Sequence, residues 1–153
     1  MSKGITRKLQ DGNGLKIGIV RARWNHELIE EACVRIKQAM LDCNVNQSDI
    51  VEMSVPGSYE LPQGAQMMLE KHNVDAVITV GILVKGQTMH FEYIAEAVTQ
   101  GITRVSLDYK KPVIFGVLTC LSQEQVEHRV KKEGLDHGYE WGLAAVEMAT
   151  HWR

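Results

Sequence analysis

Four times along the chain a short apolar run gives way to a stretch with apolar residues three and four positions apart, and this alternation most narrows the folds open to it. The runs cover residues 15–21, 50–55, 75–84 and 112–118. A strand followed by a helix returns to the sheet through a right-handed crossover, so successive strands pair in parallel. The third and fourth runs are apolar at alternate and intervening positions alike, as a sheet covered on both faces requires. The expected architecture is a three-layer α/β sandwich of flavodoxin-like type, a four-stranded parallel sheet with helices on both faces.

The helical stretches carry their own start signals. The first begins at Asn25, a good cap residue, and places Ile29, Cys33, Ile36 and Met40 on one face. Ser58 and Glu60 open the second, which turns Leu61, Ala65, Met68 and Leu69 inward, and the third begins near residues 88–90 and carries Ile94 and Val98. Ser122-Gln-Glu-Gln125 has the capping-box pattern and opens the fourth, with residues 130–133 read as extending it. The fifth runs from about Gly138 with Trp141, Ala144, Ala145 and Met148 on its expected inner face. Residues 1–14, polar and glycine-rich, are expected to form an arm that is mobile or held by a neighbouring chain, ahead of one domain over 15–153.

At 153 residues and 44% hydrophobic, the chain can bury about two-thirds of its unfolded surface as one domain. A net charge of −2 with both signs interspersed argues against nucleic acid or an anionic membrane as partner and for a small molecule or a protein. Cys33, Cys43 and Cys120 are odd in number, widely spaced and free of any Cys-x-x-Cys pattern, which suits free thiols in a reducing compartment. No signal-peptide pattern and no apolar run of about 20 residues is visible, so the expected location is cytoplasmic.

In open parallel sheets ligands bind outside the carboxyl ends of the strands. That rule gathers Trp24-Asn25, Pro56-Gly-Ser58-Tyr59-Glu60 and the stretch from Ile82, Leu83 and Val84 through Lys85, Gly86, Gln87, Thr88 and Met89 to His90. In the last of these a strand runs into a glycine turn and a helix start, where backbone N–H groups can hold a phosphate beside an imidazole able to carry protons. It is not the loop of the nucleotide hydrolases, because Gln87 stands where that motif has lysine and the residues ahead of it suit a buried strand. His90 has no second His or Cys at helical spacing, so a metal role is weak. Trp24 is either a staple closing the helix onto the sheet or a flat face for a planar heterocycle, with Asn25 available to a ring substituent. Ser58 and Glu60 would ordinarily cap a helix, but the constrained turn around them also suits recognition of a uracil edge or a polyol. Phe115 by default belongs to the core, His137 to a surface linker, and Arg129 to the solvated end of a helix, where only the neighbouring phosphate turn makes it a candidate clamp.

Taken together, Ala-Arg-Trp24-Asn25, Pro-Gly-Ser58-Tyr59-Glu60, Lys85-Gly-Gln-Thr-Met-His90-Phe-Glu-Tyr, Val-Ile-Phe115-Gly, Glu124-Gln and Arg129 resemble the lumazine synthases of riboflavin biosynthesis. Trp24, His137-Gly and Trp141-Gly resemble their fungal branch. The resemblance covers nearly the whole chain and implies condensation of 5-amino-6-(D-ribitylamino)uracil with 3,4-dihydroxy-2-butanone 4-phosphate, without metal or organic cofactor. It implies that Trp24 stacks on the pyrimidine and that Ser58, Tyr59 and Glu60 hold the ribityl chain. Ile82, Leu83 and Val84 would line the ring site, and residues 85–88 would form the phosphate turn, with Arg129 as counter-charge. His90 would be the general acid and base. Phe115 and the Arg129 region would come from an adjacent subunit, so that the site forms only in a homopentamer or an assembly of pentamers. His137 stands where many members have lysine, and His128 where some have an acidic residue. Rival readings are a flavin- or lumazine-binding protein without catalysis, a shell protein, and the archaeal-type riboflavin synthase; the 85–90 motif favours the lumazine-forming enzyme.

Overall fold

The computed structural model describes residues 7–153. Four parallel strands, β1 (Ile17–Ala22), β2 (Ile50–Val55), β3 (Ala76–Val84) and β4 (Val113–Cys120), stand in the order β2-β1-β3-β4. Five α-helices follow the strands: α1 (His26–Asp42), α2 (Leu61–His72), α3 (His90–Tyr109), α4 (Gln123–Val130) and α5 (His137–Trp152). The three-layer reading holds, with α1 and α5 on one face and α2 and α3 on the other.

Side-chain alternation along β1 shows how two cores arise from one strand. Ile17 and Ile19 face Ile29, Cys33, Ile36, Met40, Ala145 and Val146, while Val20 faces Leu61, Ala65, Met68, Val77, Val98 and Val117. Most of these are fully buried, and each large one stabilises the fold by about 1.5–3 kcal/mol relative to exposure. Register then shapes the site. Ile17 pairs with both Ile50 and Ala76, but pairing between β1 and β3 ends at Arg21 with Val80, while residues 81–84 of β3 continue along 117–120 of β4. Beyond Val80, therefore, β3 has a ladder partner on β4 alone, and its other edge faces the space above the end of β1.

Several expectations are corrected. Asn25 occupies the cap position of α1 in the left-handed region (φ 63°) but makes no side-chain cap hydrogen bond; its amide instead donates to the Ile82 carbonyl at 3.4 Å. The inner face of α5 is Gly138, Gly142, Ala145, Val146 and Ala149, with Leu143 beside it, and Met148 is exposed. The reason is close approach to α1: a Cβ on Gly138 would stand 2.5 Å from the Ala32 carbonyl oxygen, and one on Gly142 2.6 Å from that of Ile36. Phe115 is not core; it lies on the edge strand β4 at 38% exposure. Helix α4 stops at Val130, because Lys131 is extended (φ −68°, ψ 141°) and residues 131–136 form a linker. Its start keeps the expected cap, Ser122 Oγ accepting from the Gln125 N–H, while Gln125 reaches back to the Leu121 N–H.

The arm expected over residues 1–14 falls partly outside the described residues. Residues 7–14 lie along their own chain: Arg7 pairs with Asp136, the Gly12 N–H donates to the Cys43 carbonyl, and Arg153 donates to the carbonyls of Asp11 and Asn13.

Candidate active site

A cleft of about 570 Å³ opens at the carboxyl ends of β1, β2 and β3. Trp24 and Asn25 form one wall, residues 56–60 a second, and Ile82, Leu83 and Val84 with His90 and Ile94 a third. The walls meet as the rule for parallel sheets expects, and backbone contacts hold them in place: the Arg23 N–H donates to the Val55 carbonyl at 3.0 Å, joining the first two.

Trp24 is 74% exposed, so it does not staple α1 to the sheet. Its indole runs along the backbone at Gly57, where a Cβ would be 3.1 Å from Cδ1, and its area is left bare for a flat partner. Ser58 and Glu60 make no side-chain cap hydrogen bond to the short 3₁₀ turn Ser58–Glu60 or to α2. Ser58 is instead buried against β3, where Gly81 admits it: a Cβ at 81 would lie 2.5 Å from the Ser58 Oγ. Tyr59 is exposed and Glu60 half-buried at the rim. On the third wall, the edge of β3 facing the cleft carries main-chain donors and acceptors that β1 does not reach, and Asn25 occupies only the Ile82 carbonyl among them. A polar planar edge could be met there by backbone groups, between apolar side chains and the indole.

Lys85, Gly86, Gln87, Thr88 and Met89 are all exposed and lead from this wall to His90, the first residue of α3. The His90 N–H donates to the Thr88 Oγ1 at 3.4 Å and the Lys85 N–H to the Cys120 carbonyl at 2.9 Å, while the N–H groups of residues 86–89 have no partner among the described residues and lie beside the positive end of a 20-residue helix. A Cβ on Gly86 would meet nothing within 4 Å, so no contact among the described residues calls for glycine there. Lys85 is committed elsewhere: it forms an ion pair with Glu92 and lies 5.7 Å from the Phe91 ring centroid. Glu92 was not singled out from sequence; its position two residues after His90, on the first turn, was the available signal.

Of the expected site residues, Lys85, Gly86, Gln87 and Thr88 adjoin the cleft in sequence without lining it, and Phe115, Arg129 and His137 also lie outside it. Phe115 is on the outer strand, and Arg129 on α4 donates to the Gln125 carbonyl at 3.0 Å. The Arg129 charge acts on the Cys120 thiol, whose proton affinity is raised by burial and lowered in smaller measure by the guanidinium. His137 begins α5, stacks on Trp141 with centroids 6.3 Å apart and lies 3.2 Å from Glu140 Oε2. Among the described residues, no three His, Cys, Asp or Glu side chains converge in a way that could hold a metal ion, and no helix is long and apolar enough to cross a membrane.

The chain also matches known proteins over the same span. The family described as 6,7-dimethyl-8-ribityllumazine synthase matches residues 14–153. A protein of that name from the fungus Pyricularia oryzae is 40% identical, covering 99% of this chain and 95% of its own. One from Schizosaccharomyces pombe is 48% identical over 90% of this chain and 87% of its own. A third, from Aquifex aeolicus, is 40% identical over 90% and 89%.

Proposed function

This chain belongs to the 6,7-dimethyl-8-ribityllumazine synthase family, and on that premise we propose how its cleft carries out the penultimate step of riboflavin biosynthesis. The enzyme condenses 5-amino-6-(D-ribitylamino)uracil with 3,4-dihydroxy-2-butanone 4-phosphate. The observation that carries the reading is the meeting of a bare indole, an unpaired β3 edge and a helix-start imidazole around one cleft.

The pyrimidine lies against Trp24 with its polar edge on the main chain of residues 82–84. Its ribityl chain runs toward Ser58, Tyr59 and Glu60, whose turn is rigid. The butanone phosphate places its phosphate on the N–H groups of residues 86–88, next to the start of α3. Gly86 leaves room for that approach. The 5-amino nitrogen attacks the ketone and expels water to form an imine. Removal of the C3 proton then drives phosphate from C4 and leaves an enol, which takes a proton at C4 to become a ketone at C3; attack by the ribitylamino nitrogen on that ketone closes the ring with loss of a second water. Each stage moves protons at carbon, nitrogen or oxygen, and His90 at the cleft wall carries them. Holding the two reactants face to face supplies the rest of the acceleration.

Lys85 is not free to be the phosphate counter-charge while it pairs with Glu92. Arg129 and Phe115, remote from the cleft of their own chain, serve the cleft of an adjacent copy, as in a homopentamer or an assembly of pentamers, with His137 at the same boundary. The apolar residues left exposed on α3 support that assembly. The reaction takes place in the cytoplasm, a reading supported by three buried free cysteines.

The test mixes the purified protein with both substrates and follows lumazine fluorescence. The wild type exceeds the uncatalysed rate, His90→Ala lowers kcat by about 10²-fold, and Arg129→Ala raises KM for the butanone phosphate. A wild-type rate equal to background would discard the enzyme reading.

A further inference from the structure

Asp136 is the one buried acidic side chain among the described residues, at 3% exposure, and nothing in the cleft uses it. Its backbone is in the left-handed region, φ 51° and ψ 46°, at the N-cap position of α5, where its side chain makes no cap hydrogen bond. Arg35 of α1 grips the carboxylate with both arms of its guanidinium, Nε to Oδ1 and Nη2 to Oδ2, each at 3.0 Å. Arg7 adds a third contact at 3.4 Å. Both guanidiniums lie over the Tyr139 ring, 4.7 and 4.9 Å from its centroid, and the Tyr139 hydroxyl donates to Asp42 at 2.7 Å. A buried carboxylate met by a bidentate guanidinium is fixed in direction as well as in charge.

What this pins is the linker between α4 and α5. The Asp136 N–H donates to the Lys131 carbonyl at 3.1 Å, the Leu135 N–H to the His128 carbonyl at 2.8 Å, and the Gly134 N–H to Lys131 at 3.0 Å. The linker is thereby folded back on the last turn of α4, the turn that carries Arg129. A Cβ on Gly134 would stand 2.1 Å from the His128 carbonyl oxygen, so the two segments are in close contact. The chain of contacts runs from α1 through Arg35 and Asp136 to the linker and on to the end of α4.

We propose that Asp136 is a positioning residue: clamped by Arg35, it sets the linker and through it the placement of Arg129 toward the phosphate of an adjacent copy's substrate. This rests on the role given above to Arg129. The clamp explains why an acidic residue is kept buried beside a left-handed backbone position, since asparagine would satisfy the backbone alone.

The test is a two-substrate kinetic cycle on the full-length protein with Asp136→Asn, Arg129→Ala and the double variant. Asp136→Asn raises KM for the butanone phosphate about tenfold and leaves KM for the ribitylaminouracil within about twofold. Because Asp136 acts through Arg129, the double variant is no worse than Arg129→Ala alone, a non-additivity that a general loss of stability would not produce. Should Asp136→Asn not fold, Arg35→Lys keeps the charge, loses the fork and is read in the same way. Both KM values rising together, or additive losses in the double variant, overturn the proposal while Arg129 keeps its role. If Arg129→Ala itself leaves the phosphate KM unchanged, the Arg129 assignment fails and the clamp's role falls with it.

Discussion

Helices α5 and α3 cover opposite faces of the same sheet in opposite ways. In 16 residues α5 buries six, Gly138, Gly142, Leu143, Ala145, Val146 and Ala149, and meets α1 at backbone-to-backbone distance. In 20 residues α3 buries two, Val98 and Ile102. Along its outer side Tyr93, at 69% exposure, and Leu107, at 72%, fall on one face with Ala97 and Gln100 between them. Phe115 lies exposed on the adjoining edge strand. The first face is finished within the chain. The second leaves Tyr93, Leu107 and Phe115 exposed, apolar surface of the kind that the proposed assembly would cover.

The largest effect is expected from breaking the finished face. Gly142→Val would force a side chain into the Ile36 carbonyl and the Ala39 methyl, 2.6 and 2.7 Å from the new Cβ, and lower stability by about 3 kcal/mol through overpacking. Urea unfolding followed by circular dichroism measures it, and a loss below about 0.5 kcal/mol would show that α1 and α5 are not in close contact. On the unfinished face, Tyr93→Lys with Leu107→Lys should leave the secondary structure intact yet weaken self-association by about 2 kcal/mol or more. Sedimentation would then find smaller species, and lumazine formation would fall with them; an unchanged oligomer would remove α3 from the contact.

The third and smallest effect asks how dry the finished face is. Burial pushes the Cys33 thiol up from 9.0 to about 11. A group whose folded value is raised holds its proton longer in the native state, so its contribution is complete below the unfolded value and is lost as pH climbs toward the folded one. Stability should therefore drop by about 2 kcal/mol between pH 9 and 11, and the drop should shrink in Cys33→Ala. Equal slopes in the two proteins would mean that water reaches Cys33.

Strand runs and helix starts were legible because they are local. The apolar run ending at Val84 and the Ser122 cap are properties of a few neighbouring residues. The convergence of Trp24, residues 56–60 and His90 was legible too, since in a parallel sheet every strand of this kind ends on the same side. On the inner face of α5 Trp141 packs against the core and Ala145 is buried as expected, but Met148 is exposed and Gly138 and Gly142 make the closest approach, because hydrophobicity does not reveal a helix that packs through its glycines. Asn25 had the composition of a cap, and only the reach of β3 beyond β1 gave its amide a better partner in Ile82.

What the sequence determined by itself was the parallel α/β sandwich, the end of the sheet where the cleft opens and the family to which the chain is similar, all of which depend on order and spacing along the chain. What only the tertiary structure decided was which distant groups meet. Asp136 finds Arg35 across 101 positions, Ser58 enters the gap at Gly81, and Phe115 and Arg129 are left outside the cleft of their own chain. Those meetings are set by strand register and helix packing between elements far apart in sequence, and no local pattern encodes them.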